Sequence, residues 1–191
     1  MLASQSNLFR MFLGSNPFFK KGLRGAGLTP REIIIMVKTN AMRLLGAAKI
    51  EFSVRKYPVD EEDLSGTHAA EMMGLDPDCV FKTLVTKNGN GECRVFVIPV
   101  AYELDLKKCA VASGDKRLEM IPMKDLLPLT GYIRGGCSPI GMKKKFPTYI
   151  DETATLCDTI CVSAGQRGVQ LELSPEDLAG YVEAGFCDLI V

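Results

Sequence analysis

Residues 131–141, GYIRGGCSPIG, hold four glycines and a proline in eleven positions, and Lys143, Lys144 and Lys145 follow. Glycine has no Cβ, so a backbone rich in it can come close to a ligand. A pair such as Gly135-Gly136 can turn successive N–H groups toward one oxygen and form a cradle for an anion or a polarised carbonyl. With three lysines beside it, the loop suits a polar or phosphate-bearing substrate. The same residues also suit a plain turn followed by a solvated basic patch, and spacing leaves both readings open.

Lys82 is the second residue with chemical potential. It interrupts the apolar run CVFKTLV of residues 79–85. A lysine there must reach a sheet edge, a partner carboxylate or a ligand, because an unpaired buried charge is costly. Alternation allows the plainer outcome, in which Lys82 faces water while Phe81, Thr83 and Val85 share the other face.

Other catalytic patterns are missing. His68, the single histidine, sits in a helical stretch beside Ala69 and Ala70, a setting that fits packing or capping better than base chemistry. There is no G-x-S-x-G elbow, no phosphate-binding G-x-x-x-x-G-K-[ST] and no G-x-G-x-x-G. Cys157 and Cys161 lie four apart without the further ligands of a zinc site, so core packing is expected for both. The seven cysteines are odd in number and lack the spacing of a disulfide framework, which reads as a reduced, cytosolic chain.

The elements that position these residues follow from periodicity and punctuation. Helices are expected at 41–48, capped by Thr39 or Asn40, at 67–73 closed by Gly74, at 104–112 and 123–127, and after Ser174, closed by Gly185. Strands are expected at 51–57, 80–86, 93–97, 117–121, 148–150, 159–163 and 169–173, with Asn88-Gly89-Asn90-Gly91 as a hairpin turn. Strands and helices mix without strict β-α-β alternation. The expected fold is therefore mixed α/β (α+β): one twisted mixed sheet, partly barrel-like, flanked by helices.

The 191 residues make one domain of ordinary size, and 47% hydrophobic content is enough for a core. Lys plus Arg equals Asp plus Glu, 23 against 23, so phosphate contacts must come from a local patch and no global field favours DNA. No apolar run reaches the roughly 20 residues of a membrane span. Residues 1–35 are basic and acid-poor, broken by Pro17 and Pro30. They read as a poorly ordered N-terminal extension before a domain at 36–191, with an organelle-targeting leader as the alternative.

Four segments in register carry a family resemblance: VFKTLV at 80–85, LDLKK at 104–108, GYIRGGCSPIG at 131–141 and VSAGQRG at 162–168. Together they resemble the YbaK/EbsC family of bacterial aminoacyl-tRNA deacylases over about residues 38–190, and most closely its YbaK branch, which clears cysteine from tRNA(Pro). The resemblance implies a YbaK-like editing domain with no cofactor and no metal. Its implied partners are Cys-tRNA(Pro) and prolyl-tRNA synthetase, and its implied setting is the cytoplasm. Lys82 matches the family's essential lysine, and Tyr57, Thr83 and Ser163 match positions lining its pocket. In that branch the thiol of the substrate cysteine attacks its own ester carbonyl, which accounts for the missing protein nucleophile. The backbone N–H groups of Gly135, Gly136 and Cys137 would then stabilise developing charge, and the Cys137 thiol would not attack. Gln170 departs from the family, where an acid is common, and this bears on substrate preference. A deacylase for another ester such as Ala-tRNA(Pro), or a non-catalytic tRNA or synthetase binder, remains open on sequence grounds.

Overall fold

A computed structural model describes residues 38–191. The leader expected at 1–35 lies outside the described residues. The chain enters through helix α1 (Asn40–Ala47), strand β1 (Ser53–Lys56) and helix α2 (Gly66–Met73). The hairpin of β2 (Phe81–Asn88) and β3 (Cys93–Pro99) follows, then α3 (Leu106–Ser113), β4 (Leu118–Met120) and α4 (Met123–Thr130). After the glycine-rich loop come β5 (Thr148–Asp151), the hairpin of β6 (Ile160–Gln166) and β7 (Val169–Leu173), α5 (Pro175–Val182) and β8 (Gly185–Cys187).

The mixed α/β class holds, but the strands form two sheets instead of one. Five strands run in the order β4-β2-β3-β5-β8 and three in the order β1-β7-β6. The β3–β5 and β5–β8 pairs are parallel and the others antiparallel. An isolated parallel bridge, Val80 to Cys161, joins the sheets. Beyond it β2 turns to β3 along its whole length, and on its other edge meets β4 only at Thr86, Lys87 and Asn88. No barrel closes among the described residues, because β2 peels away from β6 at that point. The edge of β2 from Phe81 to Val85 therefore borders a gap.

Local chemistry explains most of the boundaries. Thr39 caps α1, its Oγ1 accepting from the Met42 N–H at 3.3 Å. Ser65 caps α2 by accepting from the His68 N–H, and Asp105 caps α3 through the N–H groups of Lys107 and Lys108. The β2–β3 turn is held by Asn88, whose Oδ1 accepts from the N–H groups of Asn90 and Glu92. Helix α4 runs past the expected stop at Leu127 and carries Pro128 on its exposed side. Gly185 does not close α5. Glu183 does so in the left-handed conformation, at φ 57°, and Gly185 opens the unforeseen strand β8.

The expectation of a reduced chain is overturned: Cys79 and Cys157 form a disulfide. They are 78 residues apart in sequence, and two 3-10 turns, Pro77–Cys79 and Glu152–Leu156, bring their Cα atoms to 6.0 Å. Cys157 is thus a cross-link, not simple core packing. Cys161 remains a free, buried thiol packed with Val80, Ala70 and Val100. No helix of the described residues is long and apolar enough to cross a membrane.

Closing so long a loop stabilises by about 4 kcal/mol in the chain-entropy account. Reduction should lower the melting temperature by roughly 10 °C. Calorimetry with and without reductant checks the size of the shift. Mass spectrometry after alkylation checks the bond itself, and a native chain that alkylates at all seven cysteines would refute it.

Candidate functional site

The gap between the diverging sheets is a cavity of about 700 Å³. Six consecutive residues of the β2 segment, Val80 to Val85, border it, which is what an unpaired strand edge offers. Its floor takes Ser163 from β6 and Gln170 from β7, which are direct cross-strand partners. One wall is the start of α2, with Ser65, Gly66 and Thr67. Gly66 lies tight against Val100, where a Cβ would come within 2.3 Å of its Cγ1. The β4–α4 connection forms another wall, and the glycine-rich loop closes onto the α2 wall, where Gly135 packs near Leu64.

Lys82 reaches both a carboxylate and the cavity. Its Nζ donates to Glu103 Oε1 at 3.2 Å and to the Val100 carbonyl at 3.5 Å. The Glu103 side chain is 84% exposed. A water-exposed pair of this kind is worth about 1 kcal/mol or less, so an anionic substrate can displace Glu103 at small cost. Neither Glu103 nor the α2 wall was marked by the sequence reading, since nothing in a local pattern ties a loop carboxylate to a strand 21 residues away.

The floor is polar and incompletely bonded. Gln170 and Ser163 are buried, with 7% and 8% exposure. Thr83 Oγ1 and Gln170 Oε1 have no hydrogen-bond partner. Buried polar atoms are normally paired, so two orphans in one cavity point to a ligand that carries donors. Tyr57 also borders the cavity, with its N–H held by the Gly168 carbonyl at 3.0 Å.

The glycine-rich loop is anchored from three sides. Tyr132 donates its hydroxyl to the Ile140 carbonyl at 2.6 Å, Ser138 Oγ accepts from the Ile140 N–H, and Asn40 reaches the Gly141 carbonyl. Arg167, in the β6–β7 turn, donates to the Arg134 carbonyl at 2.9 Å and pairs with Glu61 at 2.7 Å. Gly135 has φ 78° and borders the cavity with Cys137. Their N–H groups have no partner among the described residues. Gly136 differs from the expectation. Its N–H donates to Ile133, and a Cβ there would press on the Arg167 backbone at 3.3 Å. It packs the loop onto β6–β7 and leaves the cavity edge to its neighbours. The lysine triplet also resolves into structure. Lys143 donates to the Leu127 and Pro128 carbonyls at the end of α4, and Lys145 pairs with Glu183. Lys144 alone of the three has no such contact.

The cavity lacks an ionised nucleophile. Burial pushes the Cys137 thiol up to about 12, so it stays protonated near neutral pH. His68 stands outside, its ring nitrogens 3.8 Å from Asp60 and 3.9 Å from Glu71. No group of three or more His, Cys, Asp or Glu side chains placed to hold a metal is found among the described residues. Cys137→Ala should therefore keep kcat/KM within about threefold of the parent for any ester turned over here. An inactive variant with an unchanged circular-dichroism spectrum would instead assign attack to the thiol.

The sequence matches the family described as the aminoacyl-tRNA editing domain over residues 64–181. An Enterococcus faecalis protein named "Putative Cys-tRNA(Pro)/Cys-tRNA(Cys) deacylase EbsC" is 48% identical over 152 residues, or 80% of this chain and 93% of that protein. A crystal structure of "a putative trans-editing enzyme for prolyl tRNA synthetase" aligns with a TM-score of 0.69 at 22% identity, covering 86% of this chain and 99% of that one. The crystal structure of hypothetical protein APE2540 aligns with a TM-score of 0.70 at 20% identity, covering 77% and 96% of the two chains. At such identities the solved structures speak for the fold alone. The span of the family match and the identity to the Enterococcus protein decide the assignment: the chain belongs to the aminoacyl-tRNA editing domain family.

Proposed function

We propose that this chain is a trans-editing deacylase that removes mischarged cysteine from tRNA(Pro), using the thiol of the substrate as nucleophile. The observation that carries the reading is one cavity that unites a lysine ammonium, free backbone N–H groups and orphaned buried acceptors, with no ionised protein nucleophile. Its volume falls in the range of roughly 300–1,000 Å³ that takes small ligands. A cysteinyl ester of a terminal ribose supplies what the site lacks: an ammonium with three donors, a carbonyl oxygen and its own thiol.

In this reading Thr83 Oγ1 and Gln170 Oε1 accept from the substrate ammonium. Gln170 is uncharged, so it holds that group by hydrogen bonding without an ion pair. Ser163 and Tyr57 bound the amino-acid end. The N–H groups of Gly135 and Cys137 face the carbonyl oxygen, and Gly136 contributes through packing. Lys82 leaves Glu103 and offsets the negative charge that develops on the ester. The thiol sulfur forms the new bond to the carbonyl carbon, the ester C–O bond breaks, and the departing ribose oxygen takes the proton. Water then opens the cyclic thioester to free cysteine. The protein's contribution is position and electrostatics, which suffice when the nucleophile is already tethered to its target.

The Enterococcus relative's name couples Cys-tRNA(Pro) with Cys-tRNA(Cys). A cavity that reads the amino acid and its ribose would not separate the two, and a synthetase partner such as prolyl-tRNA synthetase would supply the choice of tRNA. Cytoplasmic action is part of the reading, because charged tRNA is a cytoplasmic substrate. A Cys79–Cys157 bond in that reducing compartment would be shielded or transient.

Lys82→Ala should lower kcat/KM on Cys-tRNA(Pro) by about 10²–10³-fold with the fold intact, the usual size for loss of one charge-stabilising group. Activity within a few-fold of the parent would remove Lys82 from the mechanism. With the parent protein, cysteine esters should be cleared far faster than serine esters on the same tRNA. The rate should rise with pH as the thiol ionises, toward its ordinary pKa of about 8.5. The sign follows from the nucleophile: more thiolate forms as pH rises, while Cys137, at about 12, stays protonated throughout. Equal rates on both esters would rule out the substrate thiol. Rapid loss of alanine from Ala-tRNA(Pro) would point to another deacylase specificity.

A further inference from the structure

The mouth of the cavity has two unlike rims. The α2 rim is acidic: Asp60, Glu61, Glu62 and Asp63 run directly into Leu64 and Ser65, which line the cavity. Glu103 stands exposed on the same side, holding Lys82. The opposite rim, formed by β4 and α4, is apolar and cationic. Met120, Met123 and Leu127 are 45%, 59% and 50% exposed. Met120 and Met123 line the cavity, and Leu127 lies one turn further along the helix on the same face, continuing the strip outward. The core-facing side of α4 is satisfied separately by Leu126 and Leu129. A surface helix normally gives its outer face to polar residues, so this apolar strip calls for an occupant.

Cations flank the strip. Lys124 is exposed on α4, and its ammonium has no partner among the described residues. Lys143 holds the far end of the helix and Lys144 follows it. Asp125, half-buried, is the one acid in α4. Unpaired nucleotides bind where polarisable or apolar side chains meet the base faces and nearby cations take the phosphates. Resting on the editing reading, we infer that the outer face of α4, continued by Met120, is the track along which the single-stranded 3′ end of the tRNA enters the cavity. The acidic α2 rim excludes the polyanion from the other side, so the approach has one direction.

The test separates this track from the chemistry. Lys124 and Leu127 do not line the cavity, so K124E/L127E should leave kcat/KM on 3′-O-cysteinyl-adenosine within about twofold of the parent. By fluorescence anisotropy, the same variant should bind an RNA hairpin with a four-nucleotide single-stranded CCA-ending overhang at least about tenfold more weakly. Its salt dependence should also be shallower, by about 0.7 in the log–log slope for each cation lost. The single exposed change Lys124→Gln should move both readouts in the same direction, and Glu62→Lys on the other rim should not weaken binding. Unchanged affinity for the overhang hairpin would overturn the track. So would an equal loss on a blunt hairpin, or a parallel loss on the short ester. A parent protein that cleaves neither ester would refute the editing reading, while the anisotropy result would still decide where RNA binds.

Discussion

The site exists because β2 cannot pair on both edges along its length. Val80 bridges to Cys161, and from Phe81 onward the strand commits to β3, leaving Phe81 to Leu84 without a ladder partner on the other edge until Val85 accepts from the Ile121 N–H. A bare strand edge is normally a liability that proteins cover. Here the cover is a chamber walled by α2, α4 and the glycine-rich loop, and the strand's residues face it in succession. The Cys79–Cys157 cross-link lies one residue before the bridge and ties the two sheets where they part. Lys82 owes its position to this divergence: three residues past the cross-link, it sits on the open edge, held by a solvent-facing carboxylate and a long bond to the Val100 carbonyl.

The glycine-rich loop meets a second constraint, that of being close to a ligand and yet rigid. Glycine supplies the approach at a cost in chain entropy. The structure offsets that cost with a bond across the loop, Tyr132 to Ile140, and two from outside it, Asn40 to Gly141 and Arg167 to Arg134. Arg167 also grips Glu61, so one guanidinium links the loop to the acidic rim. Preorganised donors need no rearrangement when charge develops, and that is where such a loop gains over a flexible one.

The electrostatics of the cavity are restrained. Its thiol is kept protonated by burial, its lysine is loosely engaged, and its buried acceptors are neutral. The arrangement suits the proposed reaction, in which the reactant brings its own nucleophile. The uneven rims extend the same economy outward, since acids on one side and cations with apolar side chains on the other orient a polyanion without a globally basic protein.

Much of this was legible in the chain. Alternation and turn residues located β2, β3, β6 and β7. Thr39 and Ser174 located the starts of the first and last helices, and Lys82 and the glycine loop stood out as chemistry, while Thr83 and Ser163 were marked by the family resemblance. These are local properties, fixed by backbone sterics and by hydrogen bonds a few residues long. The rest depended on residues far apart in sequence. Cys79 meets Cys157 across 78 residues, Glu103 takes Lys82, Lys143 caps a helix, and Gly136 turns from the cavity because Arg167 lies behind it. The split into two sheets belongs here too: the pattern of β2 shows that it is a strand, but only packing decides which edge it leaves open. The sequence by itself determined the elements and the reactive groups, because those follow from near neighbours. The tertiary structure alone decided which of them share a cavity, because that is set by where the sheets part.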